Sequence, residues 1–98
     1  MKTDIKAIEK VLTQKLNYLK KNFQVEKIGV FGSFSRGENT KSSDIDVLVE
    51  FSKPISMFRF IELEEFLSKI FGKKVDLVSK KALKPQIKDQ ILREVKYV

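Results

Sequence analysis

Two short runs, Val25–Phe31 and Ile45–Phe51, are rich in β-branched and aromatic residues, and a polar stretch beginning "GSFSRGENTKSSD" divides them. Side chains of that kind pack well on a pleated, buried surface, so each run predicts a strand. The stretch between must be a loop, and its "SFSR" portion is expected to form a short helical turn. Lys74–Ser79 predicts a third, shorter strand.

Helical spacing fills most of the remainder. Ile5, Ile8, Leu12, Leu16, Leu19 and Phe23 recur at intervals of three and four, which predicts a helix from about Thr3 to Asn22. Thr3 is its expected N-cap, with Asp4 in the first turn. After Pro54, the residues Met57, Phe60, Leu63, Leu67, Ile70 and Phe71 mark a second helix, closed by Gly72. Leu83, Ile87, Ile91 and Val95 share one face of a last helix, where Pro85 is tolerated because it falls in the first turn.

This order predicts an α/β fold of the α+β kind, a small mixed three-stranded sheet flanked by helices. The segment from Ile45 to Ser79 is long enough for a crossover, so the second and third strands should be parallel neighbours. The relation of the first two strands stays open between antiparallel and mixed. At 98 residues, a single domain over residues 1–98 is expected.

No apolar run is long enough to span a bilayer, and the first ten residues, "MKTDIKAIEK", lack the apolar core of a secretory signal. A cytoplasmic location without membrane contact is the expectation. Lysine and arginine outnumber the acids 20 to 13, giving net charge +7. Such an excess suits polyanionic partners such as nucleotides or nucleic acid, and it equally suits a surface kept soluble by charge.

Cysteine and histidine are both absent. That excludes disulfides, Cys/His zinc sites, thiol nucleophiles and imidazole bases, leaving carboxylates, hydroxyls, amines or a hard metal. Against that background Asp44 and Asp46 stand out. Two residues apart at the start of a strand, they project to the same face. Two carboxylates about 4 Å apart repel by roughly 4 kcal/mol at an effective dielectric near 20, so one takes a proton or a cation sits between them. With only oxygen ligands available, the fitting cation is Mg²⁺, which commonly shares its shell with phosphate oxygens.

The preceding loop can supply a place for those phosphates. Gly32 lets backbone N–H groups approach an anion, Ser33 adds a hydroxyl, and Arg36 offers a charge-assisted contact. A third acid, Asp76, lies in "KVDLVS" on the strand expected beside the second. There it would complete a cluster able to hold two metal ions or to take a proton from an attacking hydroxyl. A solvent-facing aspartate on an edge strand is the competing reading.

Gly32-Ser33, ten further residues, then Asp44-Ile45-Asp46 and an apolar strand resemble the signature of the nucleotidyltransferase superfamily that includes DNA polymerase beta. The short chain, with "RG" at Arg36-Gly37 and "SDIDVLV" at Ser43–Val49, most resembles its minimal, MNT-type members. The resemblance implies that Gly32 and Ser33 hold the nucleotide's phosphates and that Asp44 and Asp46 bind Mg²⁺. It implies that Asp76 fills the third carboxylate position, the candidate base. The implied reaction is attack of a hydroxyl on the α-phosphate of a nucleoside triphosphate, ATP being the expected substrate.

MNT-type proteins commonly pair with a HEPN-domain toxin as its antitoxin, and some transfer AMP to it, so the resemblance implies a HEPN partner. The exposed side of the last helix and the final "KYV" are candidate contact surfaces. Two alternatives stand beside this reading: a binding module that neutralises its partner by occlusion, and transfer to a small molecule or RNA. Nucleic acid is the less favoured partner, and a homo-oligomer is compatible with the sequence.

Overall fold

The computed structural model describes residues 4–98. Helix α1 (Ile5–Phe23) leads into strand β1 (Val25–Phe31), then a one-turn helix α2 (Ser33–Arg36) and strand β2 (Ile45–Phe51). Helix α3 (Met57–Phe71), strand β3 (Val75–Ser79), a 3-10 turn (Lys80–Ala82), helix α4 (Pro85–Glu94) and strand β4 (Lys96–Tyr97) complete it. The sheet order is β3-β2-β1-β4, with β2 parallel to β3 and β1 antiparallel to both β2 and β4.

Period-two alternation sends each strand's residues to two different cores. Ile45, Val47 and Val49 of β2 join Ile28, Val30, Val75 and Leu77 beneath α1 and α3, against Ile8, Leu12, Leu19, Leu63 and Leu67. On the other face Leu48 meets Phe31 and Ile91, with Val78, Leu83 and Val95 around them. That second cluster is much smaller, because only α4 covers it. Asp46 and Asp76 occur at the same alternation positions as Leu48 and Val78, so they belong to this less covered face.

Three expectations need correction. The sheet has four strands rather than three: β4 is two residues long, too short to show a pattern, and is held by its pairing to Gly29 and Val30. The N-cap of α1 is Asp4, whose Oδ1 accepts from the Ala7 N–H at 2.9 Å, a bond that a first-turn position does not make; Thr3 lies outside the described residues. In the last helix only Ile91 is buried. Ile87 is largely exposed, and Leu83 and Val95 reach the core from just outside either helix end.

The other boundaries follow the local signals. Ser56 caps α3 by accepting from the Arg59 N–H, Gly72 ends it in the left-handed region, and Pro85 opens α4. Among the described residues no helix is long and apolar enough to cross a membrane.

Candidate active site

The end of β1 and the beginnings of β2 and β3 meet at one end of the sheet. Asp46 pairs across the β1–β2 ladder with Phe31 and across the β2–β3 ladder with Asp76. Parallel neighbours lie about 4.8 Å apart, and residues level with each other share a face. Asp76 therefore stands directly beside Asp46. One step before Ile45 and Val75, Asp44 and Lys74 flank the two strand entries, tied by the Ile45 N–H donating to the Lys74 carbonyl at 2.9 Å.

Gly32 follows β1 with φ +75° and ψ −151°, a conformation that only glycine adopts freely. A Cβ built there would fall 2.2 Å from Asp46 Oδ2. The turn thus presses its backbone against the Asp46 carboxylate, and both the dihedral and the space require glycine. Ser33, half-buried, is the first residue of α2, whose leading N–H groups have no acceptor within the helix.

The electrostatics reflect this crowding. Asp46 has its pKa raised above the ordinary 3.8, first by burial and then by the charges of Asp76 and Asp44; Glu94 adds to the rise and Arg36 opposes it. The Lys74 ammonium lies 3.9 Å from Asp44 Oδ2 and 3.7 Å from Asp76 Oδ1, standing between the two acids. Among the described residues no three acids stand at metal-ligating spacing in this arrangement. The donor set still suits a hard cation, for its oxygens share one face and Lys74, 70% exposed, is free to swing out.

Sequence reasoning placed Asp44 and Asp46 on one face and left Asp76 open between joining them and facing solvent; the structure sets Asp76 beside Asp46 and brings Lys74 to the acids as well. Lys74 was legible: it precedes Asp76 by two, as Asp44 precedes Asp46. Glu94 was not. Its Oε1 accepts from the Gly32 N–H at 3.0 Å and from Arg36 Nη1 at 3.1 Å, while its carbonyl accepts from the Ser35 hydroxyl. Arg36 also donates from Nε to Glu38 at 2.7 Å. The Gly32 N–H and the Arg36 guanidinium, expected to face a phosphate, are thus held by a carboxylate of the chain's own.

Residues 12–98 match the family described as nucleotidyltransferase domain. The protein adenylyltransferase MntA of Thermococcus cleftensis is 48% identical over 94 residues, covering 96% of this chain and 95% of that one. A solved structure assigned as a minimal nucleotidyltransferase has a TM-score of 0.82 at 30% identity, covering 96% of this chain and 95% of that chain. A toxin–antitoxin crystal structure with AMP-PNP has a TM-score of 0.73 at 26% identity, covering 87% of this chain and 69% of that chain. With the sequence match and the fold agreeing from the middle of α1 to Val98, the chain belongs to the nucleotidyltransferase domain family.

Proposed function

We propose that this nucleotidyltransferase moves AMP from ATP to a hydroxyl of a partner protein of the HEPN toxin type, and so serves as that toxin's antitoxin. The observation that carries the reading is the level pairing of Asp46 with Asp76, with Gly32 packed on the Asp46 carboxylate. The relative named as a protein adenylyltransferase, and the similar chain from a toxin–antitoxin structure holding a nucleotide analogue, support the acceptor and donor.

Asp44 and Asp46, with Asp76, are the residues that would hold Mg²⁺. When bound, the ion neutralises charge on the phosphates and on the departing group. Asp76, 43% exposed in its side chain, faces the solvent side from which an acceptor approaches. It takes the proton as the acceptor oxygen bonds to the α-phosphorus; the bond from that phosphorus to its bridging oxygen breaks, and pyrophosphate leaves with the electron pair. Gly32, Ser33 and Arg36 orient the phosphates, and positioning supplies much of the rate.

A second reading, neutralisation by occlusion alone, draws support from Lys74, whose ammonium already occupies the space between Asp44 and Asp76. One experiment separates the two. The chain is incubated with Mg²⁺, ATP and its co-purifying partner, and the partner is weighed by mass spectrometry. An AMP increment that disappears with Asp44→Asn or Asp46→Asn supports transfer; neutralisation that persists in both variants without an increment supports occlusion.

A further inference from the structure

The Glu94 carboxylate sits where the sequence calls for a phosphate. It accepts from the Gly32 backbone N–H at 3.0 Å, and its two oxygens lie 3.1 and 3.2 Å from Arg36 Nη1. An anion held by a glycine N–H and by a guanidinium is the arrangement expected for a bound phosphate oxygen. Its side chain is only 15% exposed, so this is not a loose surface pair. It also adds its charge to those that already raise the Asp46 pKa.

The backbone around Glu94 has an independent hold. The Ser35 hydroxyl donates to the Glu94 carbonyl, the Val95 N–H donates to the Ile91 carbonyl at 2.9 Å, and β4 pairs with Gly29 and Val30. None of these bonds uses the carboxylate. The side chain can therefore leave Gly32 by rotating, with α4 and β4 in place.

We infer that Glu94 is an internal phosphate mimic, a gating residue that holds the Gly32–Arg36 anion site closed until a polyphosphate displaces it. This rests on the nucleotidyltransferase reading and adds to it a gate. A resident carboxylate must be exchanged for the incoming anion, so the apparent affinity falls by the fraction of time the site is open. A site closed about nine-tenths of the time weakens binding about tenfold. The penalty falls on any ligand whose phosphate must enter the site and spares one that binds elsewhere, so it gates entry without ranking the phosphates that do enter.

The test is isothermal titration calorimetry of the full chain with Mg²⁺ and AMP-PNP, with AMP in a parallel series. Glu94→Gln keeps an acceptor for Gly32 and removes the charge; Glu94→Ala removes both, and circular dichroism verifies that each variant is folded. Glu38→Gln is the control, since Glu38 pairs with the same guanidinium without reaching the Gly32 N–H. The expected result is AMP-PNP binding about tenfold tighter in Glu94→Gln, a clearly smaller gain in Glu38→Gln, and a gain for AMP no larger than that for AMP-PNP. Unchanged or weaker binding in Glu94→Gln, as a purely structural tie would produce, overturns the inference while leaving nucleotide binding intact. Equal gains in Glu38→Gln and Glu94→Gln overturn it as well, by reducing the effect to net charge. Absence of AMP-PNP binding in every form overturns both this inference and the nucleotidyltransferase reading beneath it.

Discussion

Asp46 Oδ2 lies so close to the Cα of Gly32 that a single added methyl carbon would come within 2.2 Å of it. The contact joins the loop after β1 to the strand that carries the acids. It makes the glycine and the carboxylate one packed unit, since any side chain at position 32 displaces Asp46.

Gly32→Ala tests that unit. The substitution forces a side chain into a positive-φ conformation, which costs about 1–3 kcal/mol, and drives the Asp46 carboxylate aside. Chemical denaturation should show that loss of stability, while AMP transfer falls below detection even in the folded fraction. A variant with near wild-type transfer would show that Asp46 need not stay against the turn.

Asp46→Asn should separate stability from activity. The folded-state pKa of Asp46 is raised, so its favourable contribution is complete below the unfolded value near 3.8 and is lost as pH rises through the folded pKa. At neutral pH the ionised group is therefore a destabilising one in the metal-free protein. The carboxamide should therefore raise Tm at pH 7.5. The gain should vanish near pH 4, and transfer should be lost at every pH. Calorimetric scans at the two pH values check the sign.

Lys74 competes with any cation for Asp44 and Asp76. Replacing it with methionine removes an ammonium held near 4 Å from both acids, a Coulomb interaction of about 1 kcal/mol with each in water before screening at these exposed positions. The Mg²⁺ concentration that produces a given Tm shift should fall about fivefold. Without metal, Tm should change little, because exposed ion pairs contribute little.

Gly29→Ala should loosen the C-terminal strand. A Cβ at that position would stand 2.7 Å from the Lys96 carbonyl oxygen and 2.9 Å from both Tyr97 Cα and Val95 Cγ2. Two of those neighbours are backbone, so β4 must shift, at a cost of about 1–3 kcal/mol. Hydrogen exchange should report faster exchange of the Val98 amide, which donates to the Ile28 carbonyl at 3.0 Å.

The sequence by itself determined the first three strands, the helices that cover their main face, and the shared facing of Asp44 and Asp46. These are local properties: strand alternation and helical spacing are set by neighbours along the chain, and the crossover length made β2 and β3 parallel. Tertiary structure decided the rest. The level pairing of Asp46 with Asp76 depends on strand register, and β4 exists only because the β1 edge receives it. Glu94 reaches Gly32 across 62 residues. No pattern near either residue encodes that meeting, because it follows from where α4 ends once the small apolar cluster of Phe31, Leu48 and Ile91 has seated it on the sheet.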